Sequence, residues 1–137
     1  MSHVISGARR NRSNRWRAYK ILYNLNPPKP LHFCTGALAD LHVFPEKARK
    51  EAGRQLRRVQ LGLDPHDWKP MNPVAPGARE IRIRDERGAF RVLYVAKIHE
   101  VVLVLHCFKK KTEKTAFADL SLARQRYRAA LTQEFER

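Results

Sequence analysis

Residues 79–110 read REIRIRDERGAFRVLYVAKIHEVVLVLHCFKK, and their periodicity sets the fold. Glu80, Arg82 and Arg84 alternate with Ile81 and Ile83, which gives a strand with one apolar face and one charged row. The charged row needs a solvent or ligand side. Asp85, Glu86, Arg87 and Gly88 form a turn sequence, so the chain reverses into a second strand from Phe90 to Lys97. A further turn near His99 leads into a third strand over Val101–Phe108, and the three make an antiparallel meander. The run from Val101 to Leu105 is apolar at every position, the pattern of a central strand buried on both faces. The second helix and the last helix are expected to cover it.

Upstream, Pro65, Pro70, Pro73 and Pro76 with Gly77 mark a loop. Before it, Ala48, Ala52, Leu56, Val59 and Leu63 recur at three- and four-residue steps, while Lys47, Arg49, Lys50, Arg54, Arg57 and Arg58 take the remaining surface. That is an amphipathic helix, with Pro45 suited to its first position and Gly62 to a left-handed stop. A shorter helix carries Leu38 and Leu41 toward Phe44, with Thr35 as its expected N-cap. Leu31, His32 and Phe33 follow Pro30 and are expected to be extended. Downstream, Phe117, Leu120, Ala123, Tyr127 and Leu131 mark one face of a closing helix, for which Thr115 is the expected N-cap. The predicted class is α+β: an antiparallel sheet packed with two N-terminal helices and a C-terminal helix.

At 137 residues the chain is sized for one domain, expected over 29–131, with an extension over 1–28 and a tail over 132–137. The extension carries Arg9, Arg10, Arg12, Arg15, Arg17 and Lys20 without one acidic residue. Lys and Arg number 28 against 13 Asp and Glu, and the resulting +15 draws the chain toward polyanions such as RNA. A hydrophobic fraction of 43% supplies a core for that charge to decorate. No stretch suits a membrane span or a secretory signal, so a cytoplasmic address is expected. Cys34 and Cys107 lack a CxxC spacing or a dense disulfide pattern and are expected to be reduced and buried. The six histidines lack an HExxH or paired Cys/His spacing, and neither metal nor cofactor is expected.

Basic groups concentrate at the sheet: Arg79, Arg82 and Arg84 on one strand, Arg91 on the next, and Lys109, Lys110, Lys111 and Lys114 at the end of the last. Brought together by adjacent strands, such groups suit a scissile phosphate and the added charge of a five-coordinate transition state. A solvated basic face has the same composition. His106 is suited to exchange a proton near neutrality, although strand-core residues surround it in sequence. Glu80 shares parity with Arg82 and is read either as a base or as the partner of an arginine. Trp68 suits base stacking or packing in the proline-rich loop.

The segments Arg79–Arg82 and Phe90–Tyr94, and above all Leu105, His106, Cys107, Phe108, Lys109, Lys110, Lys111, Thr112, Glu113, Lys114 and Thr115, resemble the phage-derived, HigB-like branch of the RelE superfamily. Gln60–Pro65 and Asp67–Met71 also resemble it, and the likeness covers residues 29–131. Members read L-H-x-F-x-K-K-T-x-K-T-P at the last run, where this chain departs only at Ala116. The resemblance implies the toxin of a type II toxin–antitoxin pair, an endoribonuclease that cuts messenger RNA on translating ribosomes. It implies a helix-turn-helix antitoxin as partner. Carried over by position, Arg82, Arg91 and Lys110 or Lys111 are the catalytic candidates with His106, while Arg79, Arg84, Lys109 and Lys114 are candidates to bind RNA. Where RelE-type enzymes have a tyrosine early in the last helix, this chain has Phe117, which exchanges no proton. A ParE-like gyrase inhibitor and a noncatalytic RNA- or ribosome-binding protein remain the competing readings.

Overall fold

A computed structural model describes residues 27–98 and 100–136. In it the chain runs β1 (Leu31–Phe33), α1 (Ala37–His42), α2 (Glu46–Gln60), β2 (Trp68–Pro70), β3 (Ala78–Asp85), β4 (Gly88–Ile98), β5 (Val101–Lys110) and α3 (Phe117–Glu136). The strands form one sheet in the order β1-β5-β4-β3-β2. The meander of β3, β4 and β5 is its centre, as the alternation required. β1 stands where the extended segment after Pro30 was expected, and β2 is the strand that was not read. β1 pairs with β5 in parallel, a link that needs the whole intervening chain as its crossover. β2 lies in the proline-rich stretch and pairs with β3 as an edge, where Pro70 costs no interior hydrogen bond.

On one face, Ala37 and Leu41 of α1 and Ala48, Ala52, Leu56 and Val59 of α2 pack on Ile81, Ile83, Val92, Tyr94, Val102 and Val104. Here α1 lies over β5 and α2 over β3 and β4, so the helix expected over the central strand is α1 rather than α2. The second helix stops as expected. Gly62 sits at φ 83°, Gly62 N–H bonds Val59 O at 3.0 Å and Leu63 N–H bonds Arg58 O at 2.9 Å, which closes both terminal carbonyls. Leu63, grouped with the buried stripe by spacing, lies beyond that stop and is half exposed. Thr35 does not cap α1; Gly36 holds that position in a left-handed conformation. A side chain at Gly36 would also meet the Arg126 guanidinium.

The other face is covered in part. Ala123 of α3, with Leu120 and Tyr127, packs on Leu103, Leu105 and Phe108, while Met71, Val74 and Ala75 from the loop cover Ala78 and Val95. Arg124 ties the two coverings together through Pro73 O at 3.3 Å. Phe117 departs from its expected place in this stripe and is 76% exposed, because α3 begins beyond the edge of the apolar patch. The 132–137 tail continues α3 as far as residue 136. Cys34 and Cys107 are buried free thiols, and burial pushes the Cys107 thiol up to about 12. The basic extension up to residue 26 and the turn residue His99 lie outside the described residues. Among the described residues no helix is long and apolar enough to cross a membrane.

Candidate active site

The half of the sheet that α3 leaves open carries the even-numbered residues of β3. Arg82 stands directly across from Arg91 of β4, and Arg91 in turn across from Phe108 of β5. Like charges opposed on one face cost stability unless something compensates. Compensation comes from two acids. Arg82 donates from Nε to Asp67 Oδ1 at 3.0 Å, and its backbone N–H bonds Asp67 O at 2.8 Å. Arg91 faces Glu80, with Nε 3.5 Å from Oε1.

Arg91 is buried, against the expectation of a surface cation, and is 6% exposed. Burial lowers its pKa most, Glu80 opposes that, and Arg82 and Arg84 add to the lowering. Glu80 is fully buried beneath the row. Its Oε2 accepts a hydrogen bond from Thr115 Oγ1 at 2.6 Å, and Lys69 Nζ lies 3.7 Å from Oε1. Thr115 therefore serves the sheet rather than capping α3. Lys110 enters the same field: its pKa is lowered by burial, then by Arg91 and Lys69, while Glu80 raises it and Arg82 lowers it further. Lys69, Asp67 and Thr115 were not read as partners of the row because they come from a short edge strand and two loops.

Arg82, Arg84, Arg91 and Lys110 thus share the open face, and Lys111 follows at its rim. Arg79 and Lys109 do not. Strand parity puts Arg79 with Ile81 and Ile83 on the helix-covered side, where it bonds Asp64 at 2.8 Å and lies 3.8 Å over the Trp68 ring. Lys109 likewise turns to Phe90 at 6.0 Å. The alternation that located the charged row would have separated both. Lys114 is exposed in the segment between β5 and α3.

His106 lies on this face two residues before Phe108, beside a bulge in β5. Leu93 pairs with His106 but the next residue, Tyr94, pairs with Val104, leaving Leu105 as the extra residue of β5. His106 faces α3 by alternation with Phe108, and its Nε2 donates to Asp119 Oδ1 at 2.7 Å. Its Nδ1 lies 3.3 Å from both Asp40 Oδ2 and Arg126 Nη1. Arg126 closes the network by donating to Asp40 at 2.8 Å and to Leu105 O at 3.0 Å. Asp119 also lines a recess of about 380 Å³ with Phe108, Lys110, Lys111, Thr112 and Ala116. Among the described residues, no group of three His, Cys, Asp or Glu is arranged to hold a metal ion.

The profile of the family described as Phage derived protein Gp49-like matches residues 39–128, which span α1 to most of α3 and every residue of the charged row. The chain belongs to the Gp49-like family. This Gp49-like chain also has a fold similar to that of the toxin RelE. The solved structure of a mutant of the E. coli toxin RelE in the free state matches with a TM-score of 0.52 and 20% identity, over 72% of this chain and 97% of that one. The toxin–antitoxin complex RelBE2 from Mycobacterium tuberculosis matches with a TM-score of 0.43 and 24% identity, over 61% of this chain and 99% of that one. No curated protein matches.

Proposed function

We propose that this chain is the toxin of a type II toxin–antitoxin pair, an endoribonuclease that cuts messenger RNA on translating ribosomes and is neutralised by a helix-turn-helix antitoxin. One observation carries the reading: Arg82, Arg91 and Lys110 converge on one open sheet face at the cost of opposing like charges. Cations held at that cost suit a polyanion whose charge rises during reaction. The fold is similar to that of the E. coli toxin RelE, which supports this assignment. The chain's place of action is then the cytoplasm.

Cleavage proceeds by attack of the RNA 2′-oxygen on its neighbouring phosphorus as the bond to the 5′-oxygen breaks; the 2′-hydroxyl proton passes to water, the departing 5′-oxygen takes one from water, and DNA lacks this nucleophile. Arg82, Lys110 and Lys111 neutralise the phosphate and the five-coordinate transition state, and Arg91 raises the potential from beneath. Arg84 and Lys114 grip the flanking backbone. His106, engaged by Asp119 and Asp40, holds Asp119 at the recess. The charge stabilisation comes from side-chain cations, so no divalent metal is required.

The test is the chemistry of the ends. Purified chain with translating ribosomes gives message fragments bearing 2′,3′-cyclic phosphate and 5′-hydroxyl, and a deoxyribose at the cut position stops the reaction while the substrate still binds. A 5′-phosphate product or cutting of the deoxy substrate overturns the mechanism. Gyrase damage without RNA cuts supports the ParE-like reading, and RNA binding without cuts the noncatalytic one.

A further inference from the structure

We propose that Glu80 is a positioning residue for the basic row: sealed beneath it, its carboxylate fixes Arg91 and, through Thr115, holds the segment that follows β5, without itself touching RNA. This rests on the ribonuclease reading of the same face. A buried carboxylate is stable only with partners, and here they come from three places. Arg91 of β4 lies 3.5 Å away, Lys69 of β2 3.7 Å, and the Thr115 hydroxyl donates at 2.6 Å. Among the described residues neither Glu80 Oε1 nor Arg91 Nε has a hydrogen-bond partner, so the two face each other as an ion pair without directional bonding. Glu80 is closed to solvent, which denies a 2′-hydroxyl any approach to it. A proton-transfer role needs that contact; a positioning role does not.

Residues 111–114 are exposed, and Thr115 is where this segment returns to the sheet. Glu80 therefore holds both the strand that carries Arg91 and the segment that carries Lys111. It also supplies the negative charge that offsets the cations around Lys110. Those facing Lys110 are Arg91 of β4, Lys69 of β2 and Arg82 of β3, with Lys109 and Lys111 beside it in the chain and Asp119 of α3 across the recess. Glu80 favours the protonated amine while Arg91, Lys69 and Arg82 disfavour it. Removing its charge shifts Lys110 titration to lower pH.

The experiment uses the full chain in two readouts. The Lys110 amine is titrated by NMR, assigned with Lys110→Arg, and RNA cleavage is followed against pH. Glu80→Gln keeps the shape and removes the charge. It moves the Lys110 titration and the alkaline limb of kcat to lower pH, and lowers kcat by about tenfold with little change in KM. Thr115→Val lowers kcat in the same way, and Thr115→Ser restores it. Unmoved titration in Glu80→Gln overturns the proposal, as does equal and measurable kcat for the Val and Ser variants. If Glu80→Gln does not fold, the Thr115 pair alone makes that decision. A moved titration in a chain that cuts no RNA, native protein included, supports the positioning role and removes the ribonuclease reading.

Discussion

The two faces of the sheet are made from alternate residues of the same strands, yet they are finished differently. One is covered by α1 and α2 with an apolar layer from Ala37 to Cys107. The other is covered by α3 and a loop over one half, and its second half carries Glu80, Arg82, Arg84 and Arg91. The covered face is where substitutions cost stability, a cost that the buried Glu80 and Arg91 share, while the exposed Arg82 and Arg84 and the partly exposed Lys110 are where they cost function with the fold intact. A protein keeps such an unfavourable array when the site uses it.

The largest expected effect lies on the covered face. Leu56→Ala removes a buried side chain of α2 and costs about 2–5 kcal/mol, read by equilibrium unfolding in urea. A cost below about 1 kcal/mol would mean that α2 is a loose cover and the contrast between the faces is weaker than drawn.

The next tests the boundary between the covered and open halves. His106 joins β5 to Asp119 of α3 and faces Asp40 of α1, so His106→Ala costs about 1–3 kcal/mol through lost hydrogen bonds. Amide exchange in α3 rises more than in α2. Uniform loss of protection would show that the network is not specific to α3.

The smallest effect is on the outside of α2, where Gly53 is exposed and an added Cβ meets nothing within 4 Å. Gly53→Ala stabilises by about 0.5–1 kcal/mol because alanine loses less backbone freedom in a helix. Thermal unfolding measures it, and a fall in Tm would mean that the helix is strained at that turn.

The sequence made some of these features legible and hid others for physical reasons. Period two in β3 and the Ala48 to Val59 stripe of α2 are local patterns, and Gly62 is a local stop; all three read directly. The parallel pairing of β1 with β5 is non-local and three residues long, which leaves almost no periodicity. The bulge at Leu105 reverses the phase of β5 before it without changing composition, and the contacts of His106 to Asp119 and Asp40 come from residues far away in the chain or on another element, so they stayed hidden. The burial of Glu80 depends on Lys69 and Thr115, neither of which is near it in the chain. Arg79 and Lys109 were legible by parity, although charge alone grouped them with the row.

The central claim is that the open half of the sheet is a ribonuclease site whose cations act on RNA rather than on the fold. Arg82 and Lys110 test it most directly, because Arg82 has an exposed partner in Asp67 and Lys110 is only partly covered. Message-end mapping with translating ribosomes is run with native chain and with the Arg82→Ala, Lys110→Ala double variant, whose unfolding midpoint is measured in parallel. The account predicts cuts by the native chain, at least about a hundredfold fewer by the variant, and stability within about 1 kcal/mol of native. Equal cutting by the variant, or no cutting by the native chain, contradicts it.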